Sequence, residues 1–225
     1  MMIDFKDDPR AVLFHFNQNH DPETGRFTSK RAVVLANKIY NTANTRIENI
    51  SNDVVNAADK SGAKMYGLEH RLKTKDSIAR KILKNSHEDN ITLDSAADNI
   101  KDAVRFTTIS DERNFVGNYN RFKQELTKKG YSEIRCKNYF QMFREGKVKH
   151  KSVQSVFSTD DGYKFEVQFQ TPASQDAKDK KVPLYEEVRK EGISQKRKKQ
   201  IELEMEQLAK NVKDPVMISI IKSYE

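Results

Sequence analysis

The sequence predicts an α/β chain of the α+β kind, a mixed sheet of about five strands flanked by helices, with helical extensions on both sides. Three observations predict it. Between residues 66 and 130 the apolar period switches from two to about 3.6 and does so twice, giving strand, helix, strand, helix. Between residues 131 and 170 three further short runs suit strands separated by turn residues. Before residue 60 and after residue 174 the apolar residues step by three or four, as on a helix face.

The 225 residues suffice for one substantial core with extensions. Hydrophobic residues at 36% and charged residues at 33% support a modest core beneath a strongly solvated surface. Lys and Arg exceed Asp and Glu by 41 to 33, a net charge of +8, and Gln195 to Lys199 (QKRKK) concentrates the excess. That stretch suits contact with a polyanion such as a nucleotide or RNA, or simply a solvated helix face. The single cysteine, Cys136, excludes an internal disulfide or a multi-cysteine zinc cluster and reads as a plain strand residue. No run approaches the ~20 apolar residues of a membrane span, and the acidic start MMIDFKDDPR lacks an apolar signal core. The expectation is a cytoplasmic protein with no membrane partner, or one delivered by machinery whose address the sequence does not display.

Residues 1–30, with Pro9 and HDPETGRFTS, read as an irregular arm, and that phrase resembles connectors of phage structural and phage-borne proteins. Residues 31–62 form a helical extension in which Ala36, Ile39, Ala43, Ile47, Ile50, Val54 and Ala57 share a face, as one long helix or an antiparallel pair. Tyr66, Leu68, His70 and Leu72 alternate with Gly67, Glu69, Arg71 and Lys73, which predicts a strand with Arg71 and Lys73 on one face. Thr74 is placed to cap a helix carrying Ile78 and Ile82 inward. Residues 102–109 are the second strand, and Asp111 opens a helix with Phe115, Tyr119, Phe122 and Leu126 inward that Gly130 stops. Strands follow within 131–140 and 152–158, and the turn Asp160-Asp161-Gly162 leads to a fifth, in which Tyr163, Phe165, Val167 and Phe169 alternate with Lys164, Glu166, Gln168 and Gln170. Helix returns from Ser174, and residues 193–225 read as basic helices with an apolar end at Val216–Ile221. The core is thus expected over 63–192. A sheet covered by helices on one face would leave its polar face as an open cleft. Arg and Lys there suit phosphate charge, and paired carboxylates suit Mg²⁺ and a proton.

The residues of that cleft resemble the synthetase domain of the RelA/SpoT alarmone enzymes, which implies a nucleotidyltransferase-like fold. Arg71, Lys73, Ser77 and Lys81 stand at offsets of zero, two, six and ten, similar to the family's R-x-K-S motif and following helix, where these groups grip the ATP phosphates. Asp102-Ala103-Val104-Arg105 resembles the segment with a magnesium-binding aspartate followed by an ATP-side arginine, Asp98 being the alternative aspartate. Gly130-Tyr131 with Lys137-Asn138-Tyr139 resembles the G-Y and K-D-Y stretch, whose lysine contacts phosphate. Phe165-Glu166-Val167-Gln168-Phe169-Gln170-Thr171 resembles V-E-x-Q-I-R-T, whose glutamate is base and second metal ligand.

Two departures fall on the acceptor side. Lys149-His150-Lys151-Ser152-Val153-Gln154 replaces G-Y-x-S-L-H, so that His150, with a pH-dependent charge, would stack in place of a tyrosine, and Gln170 replaces an arginine. A divergent branch of phage-borne and toxin-like proteins resembles the chain more than the housekeeping enzymes do. The resemblance implies a Mg²⁺-dependent pyrophosphokinase acting on ATP and a purine nucleotide or tRNA, with an antitoxin or immunity protein as a further partner. Asp102 and Glu166 would be catalytic and hold metal; Arg71, Lys73, Ser77, Lys81 and Arg105 would bind ATP; Lys137, His150, Gln154 and Gln168 would bind the acceptor. Taken singly, Arg71, Lys73 and His150 also suit exposed surface residues, and Asp102 a turn or cap. His20 and His87 sit beside acidic residues, but residues 1–60 are too few for the helical hydrolase domain that such pairs mark in this family. The competing reading is a catalytically degenerate binding or interaction module of phage or effector origin.

Overall fold

Alternation on the last strand organises the fold. β5, Lys164–Gln170, turns Phe165, Val167 and Phe169 to one face and Glu166, Gln168 and Gln170 to the other. The computed structural model describes residues 29–188 and 193–225. β5 lies at the centre of a five-stranded sheet of order β1-β2-β5-β4-β3, whose other strands are Lys64–Tyr66, Arg105–Ile109, Ser132–Asn138 and Val153–Ser158, numbered β1 to β4. β2 runs parallel to β5 and the remaining pairs are antiparallel, with a bulge in β3 between Glu133 and Arg135. The expected mixed sheet flanked by helices is therefore present.

The chain divides into two compact units. One comprises the described part of Met1–Asn41 with Thr74–Ile100; the other comprises Thr42–Lys73 with Lys101–Glu225 and holds the whole sheet. α1 is one helix over Lys30–Ser61, which decides between the two arrangements that its periodicity allowed. The arm expected over residues 1–30 lies outside the described residues as far as residue 28. In the smaller unit, Arg31 pairs with Asp94 on α3 (Leu93–Asp98). α2 (Lys75–Glu88) is capped by Thr74, whose side chain accepts from Ser77 N, and it buries Ile78 and Ile82.

In the larger unit, α4 (Phe115–Lys128) covers the apolar face of the sheet: Phe122 meets Phe157 and Phe169 edge-on, and Tyr119 meets Phe169. Asp111 accepts from the backbone of Arg113 and Asn114, so it shapes the turn before α4 rather than capping the helix itself. Gly130 ends that helix region at φ +87°, and Tyr131 then packs on Phe165. Glu133 has no side-chain exposure, yet it accepts from the hydroxyls of Tyr119 (2.7 Å) and Tyr224 (2.5 Å) and pairs with Lys123 (2.6 Å). Cys136 is a buried strand residue, as expected.

Two expectations are corrected. The strand read from Tyr66 through Lys73 ends at Tyr66, because Gly67 takes φ +61° and Leu68–His70 coil into a 3-10 turn. The chain returns to the sheet only at Leu72, bridged to Val104, with Arg105 N bonded to Arg71 O and Lys73 N to Ala103 O. The polar face is not an open cleft either: Glu166, Gln168 and Gln170 are only 6%, 5% and 3% exposed. After the short α5 (Tyr139–Arg144) between β3 and β4, α6 (Pro172–Val188) starts directly after β5 and crosses that face. Thr171 and Ser174 cap its start reciprocally, each side chain accepting from the other's backbone N–H, and Pro172 occupies the first helical position, where no N–H is needed.

Phe122→Ala removes a fully buried ring shared by α4, β4 and β5, and the expected loss is about 3–5 kcal/mol of unfolding free energy. Urea denaturation with an unchanged slope is the measurement; a loss below about 1 kcal/mol would contradict this packing.

Candidate active site

Register on the polar face brings the chemistry together. Across β2, β5, β4 and β3 the residues Arg105, Glu166, Val156 and Arg135 form one row, with Gln168, Gln154 and Lys137 in the next. Glu166 Oε1 accepts from Gln168 Nε2 at 2.7 Å, and its other oxygen lies 4.0 Å from the Arg135 guanidinium. Gln168 in turn accepts from Lys178 Nζ of α6 at 2.8 Å. An ammonium only donates and a carboxylate only accepts, so the amide of Gln168 has one satisfying orientation between them. Burial, then Arg105 and Lys73, push the Lys178 ammonium down to about 8, against the pull of Asp179 and Glu166.

Lys73 and Asp102 form a direct ion pair of 2.5 Å, both side chains mostly buried. Asp102 lies on the segment leading into β2, whose Val104 carbonyl accepts from Glu166 N. Lys178 thus touches Gln168 and feels the charges of Arg105, Glu166 and Lys73, the last of which carries Asp102 as its partner. Arg71 is turned aside, donating to Glu48 at 2.7 Å and to Leu68 O at 3.1 Å. Ser77 and Lys81 lie on α2 in the smaller unit, and Ser77 takes part in the local cap, its hydroxyl accepting from Thr74 and Arg80.

Of the remaining predicted residues, His150 and Gln154 border a cavity of about 210 Å³ together with Gln168, Gln170, Lys178 and Lys181, and Lys137 does not. Lys137, on the same face, is paired with Glu225. His150 packs on Tyr139 with ring centroids 4.2 Å apart. Its expected pH-dependent charge is corrected: burial first, then Lys181 and Lys178, push the imidazole down to about 4 and keep it neutral near pH 7. Lys181 is 3% exposed, donates to Lys149 O at 2.7 Å, and is pushed by burial to about 8.

Sequence reasoning missed Arg135, Lys178 and Lys181. Arg135 was within reach, because it alternates with Lys137 in S-E-I-R-C-K-N. The two lysines lie in the run D-A-K-D-K-K, where nothing local separates an inward lysine from a solvated one. The basic stretch Gln195 to Lys199 opens α7 (Gln195–Lys210), and there Arg197 is held by Glu187 and Glu204.

As to metal, no group of three His, Cys, Asp or Glu side chains among the described residues forms a metal cage. Mg²⁺ asks for less: one or two carboxylates with the rest from water and substrate phosphates. The hard oxygens of Asp102 and Glu166, beside cations that attract phosphate, fit that demand. No described helix is long and apolar enough to cross a membrane.

The His150 ring resists protonation in the folded chain, whereas the unfolded ring titrates near 6.5. Its contribution to stability is therefore full above pH 6.5 and is lost as the pH falls toward 4. Urea denaturation at pH 7 and pH 5 should show a fall that His150→Gln reduces; equal falls in both proteins would refute it.

No protein-family model matches the sequence, and no curated protein does. Among solved structures the chain is similar to the small alarmone synthetase 1 from Bacillus subtilis bound to its product pppGpp, at TM-score 0.49 and 17% identity, over 80% of this chain and 89% of that one. It is similar to a GTP pyrophosphokinase family protein from Streptococcus pneumoniae, at TM-score 0.48 and 15% identity, over 77% and 85%. It is also similar to the Type VI effector Tas1 in complex with its immunity protein, at TM-score 0.45 and 17% identity, over 76% and 93%.

Proposed function

We propose that the chain is a pyrophosphokinase that moves a pyrophosphate group from ATP to a ribose hydroxyl of a purine nucleotide or of RNA. The observation that carries this reading is the surroundings of Glu166: a buried carboxylate held by Gln168, with Arg105, Arg135, Lys178 and the Lys73–Asp102 pair beside it. The cations Lys73, Arg105, Arg135 and Lys178 outnumber the carboxylates Asp102 and Glu166, an imbalance that suits a triphosphate. The motif resemblance adds Arg71, Ser77 and Lys81 on the ATP side and Lys137, His150 and Gln154 on the acceptor side.

In this reading Glu166 takes the proton of the ribose hydroxyl as its oxygen attacks the β-phosphorus of ATP. The bond between the β-phosphorus and the oxygen bridging to the α-phosphate breaks, and AMP leaves with that oxygen. Arg105, Lys73 and Lys178 neutralise phosphate charge, while Gln168 keeps one oxygen of Glu166 fixed so that the other faces the acceptor. Asp102 and Glu166 would hold Mg²⁺, which when bound supplies positive charge to the phosphate oxygens. The neutral His150, packed at a tilt against Tyr139, offers an uncharged ring to the acceptor base without charge repulsion from Lys178 and Lys181.

The reaction belongs in the cytoplasm of a producing or target bacterial cell, where ATP is available, and an unregulated synthetase calls for an antitoxin or immunity protein. The ion pairs of Arg197 leave Lys196 and Lys199 as the exposed cations at the start of α7 for contact with RNA.

Incubation with labelled ATP, Mg²⁺ and a panel of GDP, GTP, ADP, ATP and bulk tRNA should release AMP with at least one acceptor. Glu166→Gln should lower that rate by about 10²- to 10⁴-fold while ATP still binds. Folded wild-type protein that releases no AMP with any acceptor but binds nucleotide would instead favour a degenerate binding module. An RNA acceptor further predicts a steep loss of affinity with salt, weakened by Lys196→Glu and Lys199→Glu.

A further inference from the structure

β3 is the outer strand of the sheet, and a segment of the same chain returns to its free edge. Past a 3-10 turn at Ile218–Ile220, Tyr224 exchanges both backbone hydrogen bonds with Cys136, at 2.8 and 3.0 Å, and Ser223 Oγ accepts from Asn138 N. Tyr224 points its hydroxyl to Glu133, on the apolar side of the sheet. Alternation then places Glu225 on the opposite side, that of Arg135 and Lys137. Its carboxylate lies 2.6 Å from Lys137 Nζ and is held below the usual range by Lys137 first, with Arg135 and Lys101 adding.

Those cations crowd one another. Lys101 is pushed down by burial and then by Arg135, Lys164 and Lys137, and Glu225 is the group that opposes them. Packing four like charges together is unfavourable unless an anion joins them. The patch also adjoins the candidate active site: Tyr139, packed at a tilt against His150, feels Lys137, Glu166, Arg135 and Glu225 together. A cavity of about 440 Å³ borders Lys137, Lys147, Lys222, Glu145, Tyr224 and Glu225 but not Arg135 or Lys101, which leaves room for a larger anion on the Lys137 side of the patch.

We propose that residues 223–225 are an intramolecular plug, in which the Glu225 carboxylate occupies an anion site centred on Lys137, on the face that also carries Arg135, a site that otherwise takes the diphosphate of a nucleotide. The phosphate role of Lys137 follows the proposed function; the plug is defined by charge and pairing alone. Glu225 is displaceable because its side chain is 75% exposed, and an exposed ion pair is weak. A diphosphate brings more charge and can engage Arg135 bidentately.

The test is calorimetric titration of the full chain with inorganic pyrophosphate at low salt. Relief of one exposed pair predicts that Glu225→Gln binds roughly two- to fivefold tighter than wild type. In a Lys137→Gln background the same change should give no gain. Equal affinity of wild type and Glu225→Gln would overturn the plug, and absence of pyrophosphate binding in both would overturn the site. A variant that binds tighter but releases no AMP from ATP would leave the plug standing and sink the proposed transfer instead.

Discussion

The parallel pairing of β2 with β5 is the constraint on which the rest of the site depends. It sets Arg105 beside Glu166 and lets the Val104 carbonyl accept from Glu166 N, so the segment that carries Asp102 is tied to the strand that carries the carboxylate. Parallel strands need a long connection between them. Here that connection carries α4, β3 and β4, so the same excursion that covers the apolar face also delivers Arg135 and Lys137 to the polar one.

Burial of the polar face has a chemical consequence. A carboxylate and two glutamine amides under α6, and two lysines on that helix, must find partners, because unpaired buried polar groups are costly. They find them in one another: Lys178 to Gln168 to Glu166, Ser174 to Gln170, and Lys181 to the Lys149 carbonyl. Such a network holds its members in single orientations before any ligand arrives, the preorganisation that electrostatic catalysis requires. The cover also keeps the lysines short of solvent, so their charge acts over a longer range than on an open surface.

The residues that the motif resemblance assigns to an acceptor depart from it in a consistent direction. Gln170 brings no charge, and His150 is held neutral against Tyr139. Positive charge is supplied from α6 instead, through Lys178 and Lys181. The cavity is thus basic through the helix that crosses the sheet rather than through β5.

Local pattern was enough for the strands and helices whose apolar spacing is regular: β4, β5, α4, and the cap of α2 by Thr74 follow from hydrogen bonds and alternation within a few residues. Alternation also puts Glu166 and Gln168 on the polar face of β5, whereas Asp102 and Lys73 are singled out by the motif resemblance. The short helices at Leu93–Asp98 and Tyr139–Arg144 carry too few residues to show a period, and the turn at Gly67 interrupted an alternation that ran on in the sequence by coincidence. Strand order, the closing of the polar face by α6, the neutrality of His150 and the seating of Glu225 against Lys137 were decided only in three dimensions. Each depends on groups far apart in the chain, and burial and charge act through distance in space, which spacing along a sequence does not encode.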